Sequence, residues 1–109
     1  MEGTAVAKVG EIAKIVTAPG KRAEALTVLQ RMVDQTKNEP GTEIYVFHED
    51  MSDDVTIWTY ELYTDQAARD AHGSSPAMAA IGPALGGLLG GAPELVKLRP
   101  MIAKGDTIA

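Results

Sequence analysis

His72 and Arg69 stand three residues apart in the polar segment 64–72, which predicts a helix. Two side chains at this spacing share one face of a helix. Imidazole is the side chain that titrates closest to neutral pH, so His72 is the best candidate for a base, with Arg69 beside it. Other side chains could donate hydrogen bonds or line a pocket around this base: Tyr45, Trp58, Tyr60, Tyr63 and Met78.

Each of these residues also has a structural interpretation. His72 precedes Gly73, so it could simply end the helix and offset the helix dipole. Arg69 could pair with Asp65 one turn earlier, in a solvent-exposed ion pair that contributes little to stability. The tyrosines fit a buried sheet face, and Trp58 fits a core or subunit contact. His48 lies beside acidic residues near a hairpin, which is typical of a solvated strand end, and Glu61 could form an ion pair.

Composition excludes several other kinds of site. The chain has no cysteine, so disulfides, thiolate metal sites and thiol catalysis are absent. Its two distant histidines do not make a zinc site, and no metal ligand set is predicted. A net charge of −5 argues against nucleic acid as a partner, and no basic amphipathic face predicts a membrane surface. The uncharged stretch 76–93 is too rich in Gly, Ala and Pro for a membrane helix. The first residues lack a signal-peptide pattern, so the cytoplasm is the expected location.

The elements that must position these residues follow from hydrophobic periodicity and turn signals. Apolar residues at helical spacing predict a long first helix over 21–37, between Pro19-Gly20 and Glu39-Pro40-Gly41. Thr64 is the expected N-cap of the second helix, and residues 74–76 separate it from a further short helix. The predicted strands are 9–17, 42–49, 55–63 and 94–99.

The resulting β-α-β-β-α-β order predicts a ferredoxin-like α+β fold, an antiparallel sheet with helices on one face. The 109 residues form one domain, with a core over about 9–100 and a tail over 101–109. The strands at 44–47 and 55–62 are apolar on both faces, whereas a lone antiparallel sheet usually exposes one face to water. We therefore predict a homodimer that forms through the sheets. The tail could be exchanged between the two subunits.

The same segments resemble the antibiotic biosynthesis monooxygenase family of small dimeric α+β barrels. The resemblance runs over most of the chain and depends on the order and spacing of short pieces: Pro19-Gly20, Glu39-Pro40-Gly41, Tyr45, Tyr60-Glu61, Ala71-His72 and Ser75-Pro76. It implies a monooxygenase without a cofactor that acts on a small aromatic polyketide, quinol or phenol, the substrate being its own reductant. By this resemblance His72, Tyr60 and Arg69 are catalytic, and Tyr45, Trp58, Tyr63 and Met78 bind the substrate.

Departures from the family pattern narrow the function. Haem-degrading relatives use an Asn on the first strand, a Trp ending the third strand and a His after Ser-Pro. Here the only Asn is Asn38, Tyr63 fills the Trp position, and no His follows His72. These departures argue against haem oxygenation. Two alternatives stay open on the same scaffold: a non-catalytic small-molecule-binding or stress-response dimer, and an isomerase or decarboxylase that uses His72 without oxygen.

Overall fold

The computed structural model describes residues 7–105, so the expectations about the first residues and about 106–109 of the tail lie outside the described part. Four strands and three helices follow the chain in this order: β1 Val9–Val16, α1 Arg22–Thr36, β2 Thr42–Glu49, β3 Thr56–Tyr63, α2 Gln66–Gly73, α3 Pro76–Leu85 and β4 Glu94–Leu98. The strands form one sheet in the order β2-β3-β1-β4, and every neighbouring pair is antiparallel. The predicted ferredoxin-like α+β fold is confirmed.

Local sequence explains where the helices begin and end. Gly20 has a φ of 76° in the turn before α1, a conformation that glycine adopts without strain. The buried stripe of α1 consists of Ala25, Leu29 and Met32, which recur at helical spacing. Helix α2 begins one residue later than predicted, because the Asp65 carboxylate accepts the Ala68 N–H at 2.8 Å and is therefore the N-cap. Thr64, the predicted N-cap, donates to Glu43 instead.

Strand alternation gives the sheet two faces with different surroundings. The inner face, which the helices cover, carries the odd-numbered residues of β1 and β3, such as Ala13, Ile15 and Ile57, and those of β2 after a register shift between Thr42 and Ile44. The outer face carries the even-numbered residues of the same strands, such as Trp58 and Tyr60. The core lies between the inner face and the helices and consists of Ala13, Ile15, Ala25, Leu29, Met32, Ile57, Ile81, Leu85 and Leu88.

The uncharged stretch after Ser75 forms a short helix and a loop. Ser75 caps α3 by accepting the Met78 N–H, and Pro76 occupies the first turn, where its missing N–H has no partner to lose. The loop after α3 returns to the sheet, where the Gly90 N–H donates to the Val16 carbonyl. None of the helices within residues 7–105 is long and apolar enough to cross a membrane.

Candidate functional site

A cavity of about 370 Å³ lies between the inner face of the sheet and the helices. Most of its wall is apolar and comes from the sheet, α1, α3 and the loop before β4: Ala13, Ile15, Leu29, Met32, Phe47, Met78, Ile81, Leu85, Pro93 and Leu95. The polar part of the wall consists of Glu11, Thr59, Glu61, Arg69 and His72, with the Tyr45 ring beside them. Apolar walls with a few converging polar groups are typical of small-molecule sites.

His72 is enclosed in the last turn of α2, where 2% of its surface is exposed. Its Nδ1 lies 2.8 Å from Oε1 of Glu39, at the Glu-Pro-Gly turn before β2. The rings of Tyr45 and Tyr63 pack on the imidazole, with centroid distances of 4.9 and 5.6 Å. Its other nitrogen, Nε2, is buried and has no hydrogen-bond partner among residues 7–105. Buried polar atoms in proteins nearly always have a partner, so Nε2 marks a place where a ligand could supply one.

Two buried glutamates face the cavity from neighbouring strands. Glu11 on β1 and Glu61 on β3 are register partners, and 3% and 5% of their surfaces are exposed. Arg69 on α2 neutralises one of them, with its Nε 3.1 Å from Oε1 of Glu11. Two buried neighbouring carboxylates, of which only Glu11 is paired with a guanidinium, favour the retention of a proton.

The surroundings of Glu61 favour the protonated form of its carboxyl group. Burial, together with the neighbouring Glu11 charge, raises the pKa of Glu61, although hydrogen bonds from Tyr63 and Thr59 oppose the change. The Thr59 hydroxyl also accepts the Ala13 N–H at 2.8 Å and so replaces a backbone bond between β1 and β3. The Glu61 side chain is therefore hydrogen-bonded, through the Thr59 hydroxyl, to the backbone of β1.

The phenol groups of Tyr45 and Tyr63 and the guanidinium of Arg69 keep their ordinary charges. Burial and the nearby carboxylates raise the pKa values of Tyr45 and Tyr63 far above the ordinary value for a phenol, so both hydroxyls stay protonated. Burial lowers the pKa of Arg69, but the hydrogen bond and charge of Glu11 outweigh this and raise it. The tyrosines can therefore act as hydrogen-bond donors and not as bases.

The structure brings together some of the residues predicted from the sequence and separates others. His72, Arg69, Tyr45 and Met78 line the cavity, and Tyr63 lies behind it against His72 and Glu61. Trp58 and Tyr60 do not reach the cavity, because they alternate with Thr59 and Glu61 and therefore lie on the outer face.

Two local expectations are corrected. Arg69 pairs with Glu11 and not with Asp65, whose carboxylate caps α2. His72 does end a helix, but it is buried and hydrogen-bonded, so its position is more than a solvated helix terminus. His48 is exposed on the outer face, as a solvated strand end should be.

The sequence analysis did not assign three acidic residues to the site: Glu11, Glu39, and Glu61, for which it offered only an ion pair. A signal existed for two of them, because Glu11 and Glu61 interrupt apolar strands. Their pairing follows only from the register of β1 with β3. Glu39 lies 33 residues from His72, and only the tertiary fold brings the two together. Within residues 7–105 no three His, Asp or Glu side chains are grouped in a way that could hold a metal ion.

An open cleft of about 560 Å³ lies on the other side of His72. Its lining comes from the end of α1, the turn before β2, and the segment that joins α2 to α3: Gln35, Asn38, Glu39, Pro40, Gly41, Thr42, Ala68, Ala71, His72, Ser74, Ser75 and Pro76. His72 belongs to the lining of both the cavity and the cleft. Glu39 belongs to the lining of the cleft alone.

Solved structures share this architecture. A protein from Caulobacter crescentus, named as a candidate antibiotic biosynthesis monooxygenase, is 27% identical, with a TM-score of 0.84 over 90% of this chain and 93% of its own. A protein of the same description from Nitrosomonas europaea is 14% identical, with a TM-score of 0.83 over 90% of this chain and 94% of its own. At 14% identity, the likeness concerns the fold alone.

Sequence comparison gives the family. An uncharacterised protein of Synechocystis is 31% identical over 62 residues, which is 57% of this chain and 42% of that protein. The chain thus matches less than half the length of this curated relative. The family profile described as antibiotic biosynthesis monooxygenase matches residues 9–83, which include the first three strands, α1, α2 and most of α3. The chain therefore belongs to the antibiotic biosynthesis monooxygenase family.

Proposed function

We propose that this protein is a monooxygenase that oxidises a small aromatic polyketide, quinol or phenol, with the substrate as its own reductant and no cofactor. The observation that carries the proposal is the buried His72, which lines an apolar cavity, is held by Glu39, and has no partner for its Nε2 among residues 7–105. Membership of the family and the likeness to the Caulobacter crescentus protein support the reaction class.

The chemistry required of the protein is limited. An anthrone, for example, becomes reactive toward O₂ when it loses a proton to form an electron-rich anion. One oxygen atom of O₂ becomes the new carbonyl of the product, and the other leaves as water with the two hydrogens of the oxidised methylene carbon. The protein must accept the first proton, stabilise the anion and exclude water. In the proposed roles His72 accepts the proton, and Arg69 and the Tyr45 hydroxyl stabilise the oxygen anion.

The polar groups of the cavity favour a neutral ligand with hydroxyl groups. Glu11 and Glu61 present carboxyl oxygens, and Arg69 bonds to Glu11 through its Nε. A compact anion such as a phosphate would meet the like charge of Glu11, which is unfavourable, whereas an anion formed from an aromatic ligand spreads its charge over the rings. An aromatic ring, in contrast, fits walls made of Phe47, Met32 and aliphatic side chains.

The proposal includes a homodimer formed through the outer face. Val46, Val96 and Leu98 lie on that face with 40%, 54% and 39% of their surfaces exposed. An apolar sheet surface of this kind favours burial against a second copy of the chain. Trp58 and Tyr60 would then serve the subunit contact, and the catalytic and substrate-binding roles would fall to the residues of the cavity.

The test is oxygen uptake with a panel of reduced naphthoquinols and anthrones. We expect uptake above the spontaneous rate with the wild type, and a kcat lower by about 10²–10⁴-fold in His72→Gln, because a positioned general base contributes roughly that factor. His48→Gln is the matched control, since His48 does not line the cavity and the variant should leave kcat unchanged while light scattering shows the same association as the wild type.

The possible outcomes separate the proposed functions. Uptake that is equal in the wild type and in folded His72→Gln would remove His72 from the mechanism. If no member of the panel is oxidised but quinols still bind, measured by calorimetry, the protein is a binding dimer on this scaffold. Conversion of a ligand without oxygen uptake would favour the isomerase or decarboxylase reading.

A further inference from the structure

We propose that Glu39 is a positioning residue for His72, which holds the ring proton on Nδ1 and keeps Nε2 as the proton acceptor of the site. The inference deepens the proposed function and depends on it for its catalytic meaning. Its structural content, the position of one proton, can be measured without a substrate.

The Glu39 carboxylate is held by donors from three elements. Its Oε1 lies 2.8 Å from Nδ1 of His72 on α2 and 2.9 Å from the hydroxyl of Thr42 on β2. Its Oε2 accepts from the side-chain amide of Gln35 on α1 at 3.3 Å. With these three contacts the carboxylate cannot turn away from the imidazole without losing hydrogen bonds to two other elements.

An ionised carboxylate can only accept hydrogen bonds, so Nδ1 must carry the proton in this pair. Burial raises the pKa of Glu39, but the hydrogen bonds from His72 and Thr42, the charge of His72 and the bond from Gln35 outweigh it and lower the pKa below its ordinary value. Glu39 therefore remains charged where histidine titrates. A neutral imidazole with its proton on Nδ1 has its lone pair on Nε2.

The surroundings of the pair make Glu39 the group that decides the tautomer. Nε2 has no partner within residues 7–105, so no described residue competes to set the proton there. The Tyr45 and Tyr63 rings lie against the imidazole and restrict its rotation. When Nε2 takes a proton, the Glu39 charge 2.8 Å away stabilises the cation that forms.

The first measurement is the ¹⁵N NMR spectrum of the wild-type protein with labelled histidine, without ligand, at a pH high enough for the imidazole rings to be neutral. The resonances of protonated and unprotonated ring nitrogens are widely separated. We expect His72 to show a protonated Nδ1 and an unprotonated Nε2. A proton on Nε2 in the wild type overturns the inference, whether or not any variant folds and whether or not the protein is an oxygenase.

Two variants distinguish the effect of the His72 tautomer from the effect of the Glu39 charge. Glu39→Met has a similar length but offers no acceptor, so we expect the proton to move to Nε2, as in a free histidine. For a quinol that the wild type oxidises, we expect kcat to fall at least about 10²-fold, with KM changed little. Glu39→Gln keeps an acceptor oxygen without the charge, so we expect the Nδ1 proton to remain and kcat to recover at least about tenfold relative to Glu39→Met.

The control is Glu43→Gln, which removes a carboxylate four residues away that pairs with Lys8 and Thr64 and does not contact His72. We expect the His72 spectrum to be unchanged in this variant. An unaltered Nδ1 proton in folded Glu39→Met would overturn the positioning role. Loss of activity in Glu39→Gln equal to that in Glu39→Met would show that the charge, and not the tautomer, is what Glu39 contributes, and would also overturn it.

Discussion

Gly41 lies where the start of β2 meets α2, and its size should control this contact. A Cβ atom built on Gly41 would be 2.5 Å from the Cβ of Ala68, which is closer than real Cβ atoms approach. Ala68 is part of a helix held by its cap and by the sheet, so it cannot simply rotate away. We predict that Gly41→Ala destabilises the protein because the two methyl groups collide.

The expected magnitude combines two opposing contributions. Overpacking of this kind costs about 1–3 kcal/mol. Gly41 does not have a positive φ, so alanine fits its backbone and stabilises the fold by about 0.4–1 kcal/mol through the entropy of the unfolded chain. The net loss is therefore about 1–2 kcal/mol. In a domain of this size each kcal/mol lowers Tm by roughly 4–8 °C.

A second variant makes the reasoning specific to this contact. Ala68→Gly alone should cost about 1 kcal/mol, because glycine is a poor helix former. In the double variant the new Cβ would face the Cα of residue 68 at 3.6 Å, an ordinary contact distance. The collision is then absent, and the stability gained by alanine at residue 41 offsets the stability lost by glycine at residue 68. We expect the double variant to lie within about 0.5 kcal/mol of the wild type.

The assay is urea unfolding followed by circular dichroism, at one fixed protein concentration so that association contributes equally to each variant. The double-variant cycle should give a coupling energy of about 1–3 kcal/mol, which equals the relieved overpacking. If the two single losses simply add in the double variant, the contact between residues 41 and 68 does not limit packing, and the argument is refuted.

Two further predictions concern charge and association. Burial raises the pKa of Glu61 above its ordinary 4.5, so the native protein keeps a proton that the unfolded chain releases, and stability should fall as the pH rises from about 4.5 through the native pKa. Glutamine cannot ionise, so Glu61→Gln should reduce the dependence of stability on pH, measured as the urea midpoint between about pH 4 and 8. Equal pH slopes for the wild type and the variant would contradict a raised pKa of Glu61. Light scattering at micromolar concentration should show a dimer that Val96→Asp dissociates and that Met51→Asp, a change in the exposed hairpin, leaves intact. A wild-type monomer would rule out the homodimer.

Much of the architecture could be predicted because it depends on short-range patterns. The stripe of Ala25, Leu29 and Met32, the Pro-Gly turns and the alternation in the strands determine the element order. The N-cap of α2 was misplaced by one residue, because Thr64 and Asp65 both suit that position and only the contact between Thr64 and Glu43 separates them.

The site was predicted less completely, for two physical reasons. The aromatic residues of β3 were assigned to one site, although Tyr60 and Tyr63 differ in parity and must lie on opposite faces of the sheet. The Glu39–His72 and Glu11–Arg69 pairs join residues 33 and 58 positions apart. No local pattern specifies such pairs, since they depend on where α2 docks on the sheet.

The His72 side chain separates two spaces, since it lines both the cavity and the cleft. In the proposed reaction, the proton that His72 accepts ends in the water that leaves, so the reaction needs no net exchange of protons with bulk solvent. Glu39 lines only the cleft, and it therefore holds Nδ1 from outside the cavity in which the substrate would bind. The charge that fixes the imidazole is thus kept apart from the apolar walls that would receive an aromatic ring.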